Sequence, residues 1–192
     1  MISAILLAAG QSRRMNGENK LLKKYKKKYL INHILSSLIK SKINKVFVVL
    51  GFQNSKVKKI IAKNKKIRFV YNKNYKSGMA SSIKAGLKRI SKKNTGFLIV
   101  QADMPLISKK IINSLYYAVK NNDKEIVVPI YKKKMGNPIG FNSSMIKILN
   151  KIKGDTGAKK MVKSNKKKLN LIKINSKSIF NDFNTQRDFS LN

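Results

Sequence analysis

Short unbroken apolar runs alternate along this chain with stretches whose apolar residues recur every three or four positions. Ile2–Leu7 is the first run, and Val46–Leu50, Ile67–Tyr71, Phe97–Gln101, Glu125–Ile130, Ile139–Phe141 and Leu169–Ile174 repeat the form. Runs of this length, rich in Ile, Val and Leu, read as strands buried on both faces. Helical spacing marks Tyr29–Ile39, Val57–Ala62, Met79–Ile90, Ile107–Val119, Ser143–Ile152, Ala158–Lys163 and Thr185–Leu191. Ser77-Gly78 opens the third of these helices, and Ser108 stands where the fourth needs an N-cap. Strands alternating with helices specify βαβ units, so the pattern predicts an α/β fold with a mainly parallel sheet covered by helices on both faces. Ligands of such sheets bind beyond the carboxyl ends of the strands, at the topological switch point. The turns after Leu7, Tyr71 and Gln101 all follow strands and should share that edge.

At 192 residues the chain suits one domain, residues 1–192, able to bury about 70% of its extended-chain surface. No apolar run approaches the roughly 20 residues that span a bilayer, and the first segment lacks the h-region of a secretory signal, so a cytoplasmic protein is expected. The absence of cysteine excludes disulfides and thiolate metal sites. The net charge of +37 raises the question of a polyanionic partner. All but five of the 44 basic residues are lysines, spread over Lys23–Lys28, Lys56–Lys66, Lys132–Lys134 and Lys166–Lys168, and Asn and Ile are abundant too. That distribution fits AT-rich codons on solvated faces better than a nucleic-acid groove, in which aromatics would interleave with the cations. The same drift makes the acids informative. Only seven remain: Glu18, Asp103, Asp123, Glu125, Asp155, Asp182 and Asp188.

Three segments carry chemistry of their own. Ala8-Ala9-Gly10 is a small-residue turn that lets backbone N–H groups approach an anion. Arg13, Arg14 and Lys20 follow it, and their cations can neutralise a polyphosphate. It matches neither the dinucleotide fingerprint nor the phosphate loop that ends in Gly-Lys-Ser/Thr. Next, Tyr71-Asn72 leads through Ser77-Gly78 into a helix whose first turns carry Ser81 and Ser82, suited to ordinary capping or to recognition of carbonyl oxygens or an anion. Third, Gln101-Ala102-Asp103-Met104-Pro105 sets an acid directly after a buried strand, a hard oxygen on a rigid support, as a Mg²⁺ ligand requires. Gly136-Asn137-Pro138 and Gly154-Asp155-Thr156-Gly157 are, taken alone, ordinary turns. His33, the single histidine, lies in a helical stretch and reads as structural.

Leu7-Ala8-Ala9-Gly10-x-Ser12-x-Arg14-Met15 followed by Lys20 resembles the signature of the MobA-like nucleotidyltransferases, and among them the molybdenum cofactor cytidylyltransferases. Gly78-Met79-x-x-Ser82, Ala102-Asp103-Met104-Pro105, Gly136-Asn137-Pro138, Gly154-Asp155-x-Gly157-Ala158 and Asp182-Phe183-Asn184-Thr185 are similar to that family's later motifs, in the same order. The resemblance implies a three-layer Rossmann-like sheet of the nucleotide-diphospho-sugar transferase type. It implies that Leu7, Ala8, Ala9, Gly10, Arg14, Lys20, Gly78 and Ser82 bind nucleotide, with Arg14, Lys20 and Asp103 in catalysis. Mg²⁺ would sit on Asp103 and Asp182, and Asn137, Pro138 and Asp155 would border the acceptor. Asn16, Ala102, Asn184 and Gln186 stand where relatives usually carry Gly, Gly, Asp and Pro. Ala9 implies CTP, because the guanylyltransferases tend to carry Gly there. The implied reaction is transfer of CMP from CTP to molybdenum-bound molybdopterin, with a molybdoenzyme or its chaperone as a further partner. A sugar or polyol phosphate as acceptor and a basic nucleic-acid-binding module are the alternatives.

Overall fold

The computed structural model describes residues 1–190 apart from Asn16, Asn122, Asp123 and Thr156, and places Lys159 and Lys160 by their helix only. From the N-terminus, β1 (Ile2–Ala8) leads through a basic loop to a hairpin of β2 (Lys24–Tyr25) and β3 (Lys28–Tyr29), then α1 (Leu30–Lys40) and β4 (Lys45–Leu50). Next come α2 (Asn54–Lys59), β5 (Ile67–Tyr71), α3 (Met79–Leu87), β6 (Gly96–Gln101) and α4 (Lys109–Lys120). The last third holds β7 (Ile126–Tyr131), β8 (Lys134–Met135), β9 (Ile139–Asn142), α5 (Ile146–Leu149), α6 (Ala158–Ser164), β10 (Leu169–Lys173) and α7 (Arg187–Ser190).

The main sheet runs in the order β10-β7-β9-β6-β1-β4-β5, with β8 paired to β7. The pairs β1–β4, β1–β6, β4–β5 and β7–β10 are parallel, as helical crossovers require, whereas β9 runs antiparallel to both neighbours. Only the short β8 and a turn separate β7 from β9; without a crossover helix the chain must return in the opposite sense. The sheet reverses its order of filling at β1, which has β4 on one side and β6 on the other. Leu7 lies beside Gln101 in this register, so the carboxyl ends of β1 and β6 form the switch point.

Alternation along β1 feeds two cores. Ile2, Ala4, Leu6 and Ala8 pack with residues of α1, α2 and α4 on one face, while Ile5 packs with α3, α5 and α6 on the other. The expected α/β architecture is therefore found, with shifts at the element ends. Ser108 caps α4 by accepting from the Ile111 N–H. The second predicted helix begins three residues earlier than Val57, because Gln53 in the left-handed region turns the chain into it. Ser143–Ile152 divides into a 3-10 turn and the four-residue α5. The last helix spans Arg187–Ser190 rather than Thr185–Leu191, and Leu191 lies outside the described residues.

Candidate active site

Beyond the carboxyl ends of β1 and β6 opens a cleft of about 650 Å³, within the range of small-molecule sites. Its first wall is the loop after β1. Met15 is buried and fixes a 3-10 turn, Arg13–Met15, whose two arginines line the cleft. Ser12 takes a positive φ of 51° and accepts, through its hydroxyl, a hydrogen bond from the Lys20 N–H at 3.2 Å, which closes the loop. Asn19, almost fully buried, holds the loop from behind by donating to the Phe52 carbonyl at 3.3 Å. Ala9 is buried as well. A methyl placed on Gly51, just past β4, would approach Ala9 Cβ to 2.8 Å and Tyr75 Cβ to 2.5 Å, so Ala9, Gly51 and Tyr75 pack too closely for a larger residue at 51.

The second wall is the start of α3. Gly78 has φ +103°, and any side chain there would collide with the backbone of Gly154 and Asp155. The same loop caps α3: Asp155 Oδ1 accepts from the Met79 N–H at 3.1 Å, and the Gly154 carbonyl accepts from Ala80 at 3.1 Å. The resemblance puts Asp155 beside the acceptor. It caps α3, 76 residues upstream, and also lines the cleft; Thr156 itself lies outside the described residues. Ser82 is buried and lines the cleft, its hydroxyl accepting from the Asn72 amide at 3.0 Å.

The floor carries the charge. Lys20 Nζ lies 2.5 Å from Asp103 Oδ2 and 2.9 Å from Asn184 Oδ1, and Asn184 Nδ2 donates to Asp182 Oδ2 at 2.7 Å. Asp103 and Asp182 thus sit at the two ends of one hydrogen-bonded chain. The Phe183 N–H donates to the Asp103 carbonyl at 2.9 Å, and its ring packs edge-on against Tyr25 of the hairpin at 4.9 Å. That anchor sets Asp182 and Asn184 at the cleft. Tyr25 is in turn held by His33, whose Nε2–H donates to the Tyr25 carbonyl at 2.8 Å, a structural role.

A divalent cation fits these residues. Asp103 Oδ1 is, among the described residues, the single buried side-chain oxygen without a hydrogen-bond partner. No group of three or more His, Cys, Asp or Glu side chains converges among the described residues. The donor set is therefore one or two carboxylates open to phosphate oxygens and water, which is how Mg²⁺ is commonly held beside a nucleotide.

The cleft brings together Leu7, Ala8, Ala9, Gly10, Arg14 and Lys20 with Gly78, Ser82, Asp103, Asp155 and Asp182. Asn137 lies apart, on a smaller cavity of about 280 Å³ that shares Leu7, Met79, Gln101 and Asp182 with the cleft. Pro138 lines neither cavity. It is buried at the entry to β9. Tyr75, Lys76 and Gln101 also line the cleft and were not singled out by sequence. Gln101 closes a strand and Tyr75 lies in a run quoted only for its Gly and Ser residues, so position was the signal available for both.

A family model for the MobA-like NTP transferase domain matches residues 4–169. The chain belongs to that family. The matched domain accounts for most of the chain. This MobA-like chain is 32% identical over 134 residues to a probable molybdenum cofactor guanylyltransferase of Clostridium perfringens, covering 69% of the chain and 61% of that protein's length. It is 31% identical over 151 residues to an adenosylcobinamide-phosphate guanylyltransferase of Methanocaldococcus jannaschii, covering 73% of the chain and 75% of the relative. The crystal structure of Rv0371c from Mycobacterium tuberculosis superposes with a TM-score of 0.86 at 23% identity, over 98% of this chain and 95% of that one. A manganese complex of the same mycobacterial protein gives 0.82 at 21% identity, over 98% and 96%. At such identities the likeness speaks for the fold.

Proposed function

We propose that this MobA-like enzyme transfers CMP from CTP to the phosphate of molybdenum-bound molybdopterin, with Mg²⁺, and releases pyrophosphate. The observation that carries the reading is the convergence of the Ala8–Gly10 bend, Arg14 and Lys20, and the carboxylates Asp103 and Asp182 on one cleft at the switch point. The bend and the two cations receive the triphosphate, and the mouth of α3 with Gly78 and Ser82 receives the base. Asp103, through its unpartnered Oδ1, and Asp182 hold the metal. When bound, the ion spreads the negative charge of the phosphates and of the departing pyrophosphate. The smaller cavity, with Asn137 at its wall, takes the acceptor, and Asp155 borders the acceptor from the side of the larger cleft.

An oxygen of the acceptor phosphate attacks the α-phosphorus in line, and the bond between the α-phosphorus and the bridging oxygen to the β-phosphate breaks. No general base is needed, since the second pKa of a phosphate monoester is near 6. The protein contributes position and fixed positive charge. The product would pass to a molybdoenzyme or its chaperone. A cytoplasmic setting belongs to the same proposal; among the described residues no helix is long and apolar enough to cross a membrane.

Ala9 supports CTP. The names of the two relatives, both guanylyltransferases, favour GTP as a second reading. Pyrophosphate release measured with CTP, GTP and ATP beside the molybdenum cofactor decides between them: CTP preference is expected, and GTP preference overturns the base assignment. Asp103→Ala is expected to cut turnover about 100-fold or more. Unchanged turnover there would remove the carboxylate from the mechanism.

A further inference from the structure

Lys20 directs two of its three N–H donors to the floor of the cleft, to Asp103 Oδ2 and Asn184 Oδ1. Its ammonium lies on Asp103 Oδ2, beside the unpartnered Oδ1 that the metal reading assigns to the ion. What holds it there is an amide. Asn184 gives Nδ2–H to Asp182, which turns its Oδ1 toward Lys20, and the reverse orientation would aim NH₂ at an ammonium. An aspartate at 184, as the resembled motif carries, would add a third carboxylate; the amide adds no charge. The floor therefore holds two carboxylates against one ammonium, a net charge of about −1 at a partly exposed site, and it offers a lone divalent ion few fixed ligands.

We infer that Asn184 is a positioning residue that keeps Lys20 on Asp103 until nucleotide arrives, so that the divalent ion enters together with the triphosphate and not before it. Phosphate oxygens compete for the ammonium, Lys20 moves to them, and Asp103 Oδ2 is released beside the free Oδ1 as the phosphates bring their own ligands. The inference rests on the metal reading of Asp103.

Mn²⁺ binding tests it, followed by the electron paramagnetic resonance signal of the free ion, with and without CTP (GTP in parallel). Wild type should bind Mn²⁺ alone at least about tenfold more weakly than in the presence of nucleotide. Lys20→Met should tighten Mn²⁺ binding without nucleotide by about tenfold, the scale expected from removing one neighbouring charge. Asn184→Ala should tighten it several-fold by loosening the tether. A gain of affinity does not arise from misfolding, and thermal unfolding of each variant is recorded beside it. Equal Mn²⁺ affinity in wild type with and without nucleotide overturns the inference, as does an Asn184→Ala variant that binds Mn²⁺ no better or worse than wild type. Asp103→Asn is the separate control. If it binds Mn²⁺ with nucleotide as wild type does, the metal reading itself fails.

Discussion

Asp188 Oδ2 accepts three hydrogen bonds, from the N–H groups of Asn184 and Thr185 at 2.7 Å each and from the Thr185 hydroxyl at 3.1 Å. Burial pushes its pKa up, but those bonds and the nearby Lys20 charge outweigh it and leave the carboxyl below its ordinary value of 3.8. A depressed folded-state pKa means stability that is present above 3.8 and is lost as pH falls through the lower folded value. Asp188→Ala should therefore be less stable than wild type at pH 5–7, and the difference should shrink as denaturation is measured below pH 3.8. A gap that persists unchanged in acid would assign the loss to packing. The acids also show what was legible at this scale. The six described carboxylates all have partners: Glu18 pairs with Lys23, Glu125 with Lys168 and Asp103 with Lys20, while Asp155 caps α3 and Asp182 and Asp188 bind Asn184. Asp103 could be read from its place after a strand. Asp155 could not, because its partner Met79 is fixed only by the tertiary fold. Asn184 was passed over because its motif lacks the expected acid.

The strands and long helices were readable from periodicity, whereas the two tight reversals were not. Lys26 and Lys27 join β2 to β3 with φ of 45° and 61°, and Lys132 and Lys133 join β7 to β8 with φ of 47° and 63°. Two-residue hairpins of this form normally announce themselves as Asn-Gly or Asp-Gly. Lysine in their place hides the turn, and it carries a conformational cost of about 1–2 kcal/mol per residue in the left-handed region. Replacing Lys132-Lys133 by Asn-Gly should raise stability by about 1 kcal/mol in urea denaturation. No gain would show that these lysines are held there by contacts worth as much as the strain. The hairpin at Lys26-Lys27 has more at stake for the cleft, since Tyr25 supports Phe183 and through it Asp182 and Asn184.

Over the whole molecule, 44 basic residues face seven acids, and the described residues form three ion pairs. Such an imbalance destabilises the compact state through self-repulsion that salt screens. The unfolding midpoint should rise by several degrees between about 10 mM and 300 mM NaCl, as the Debye length falls from about 30 Å to below 10 Å. A flat or falling midpoint would mean that the lysines are spaced widely enough not to sense one another. The parallel sheet and the edge that carries the cleft were legible at this scale because buried strands keep their apolar runs whatever drift does to the surface. The reversed β9 was not, since strand direction depends on the connection and not on the strand. One geometric fact reaches further. The ammonium of Lys20 meets one partner 83 positions along the chain and another 164 positions away. Fraying of the tail after β10 would therefore disarm the nucleotide end of the cleft while the strands stay laced, so catalytic competence should be the first property to disappear under mild stress.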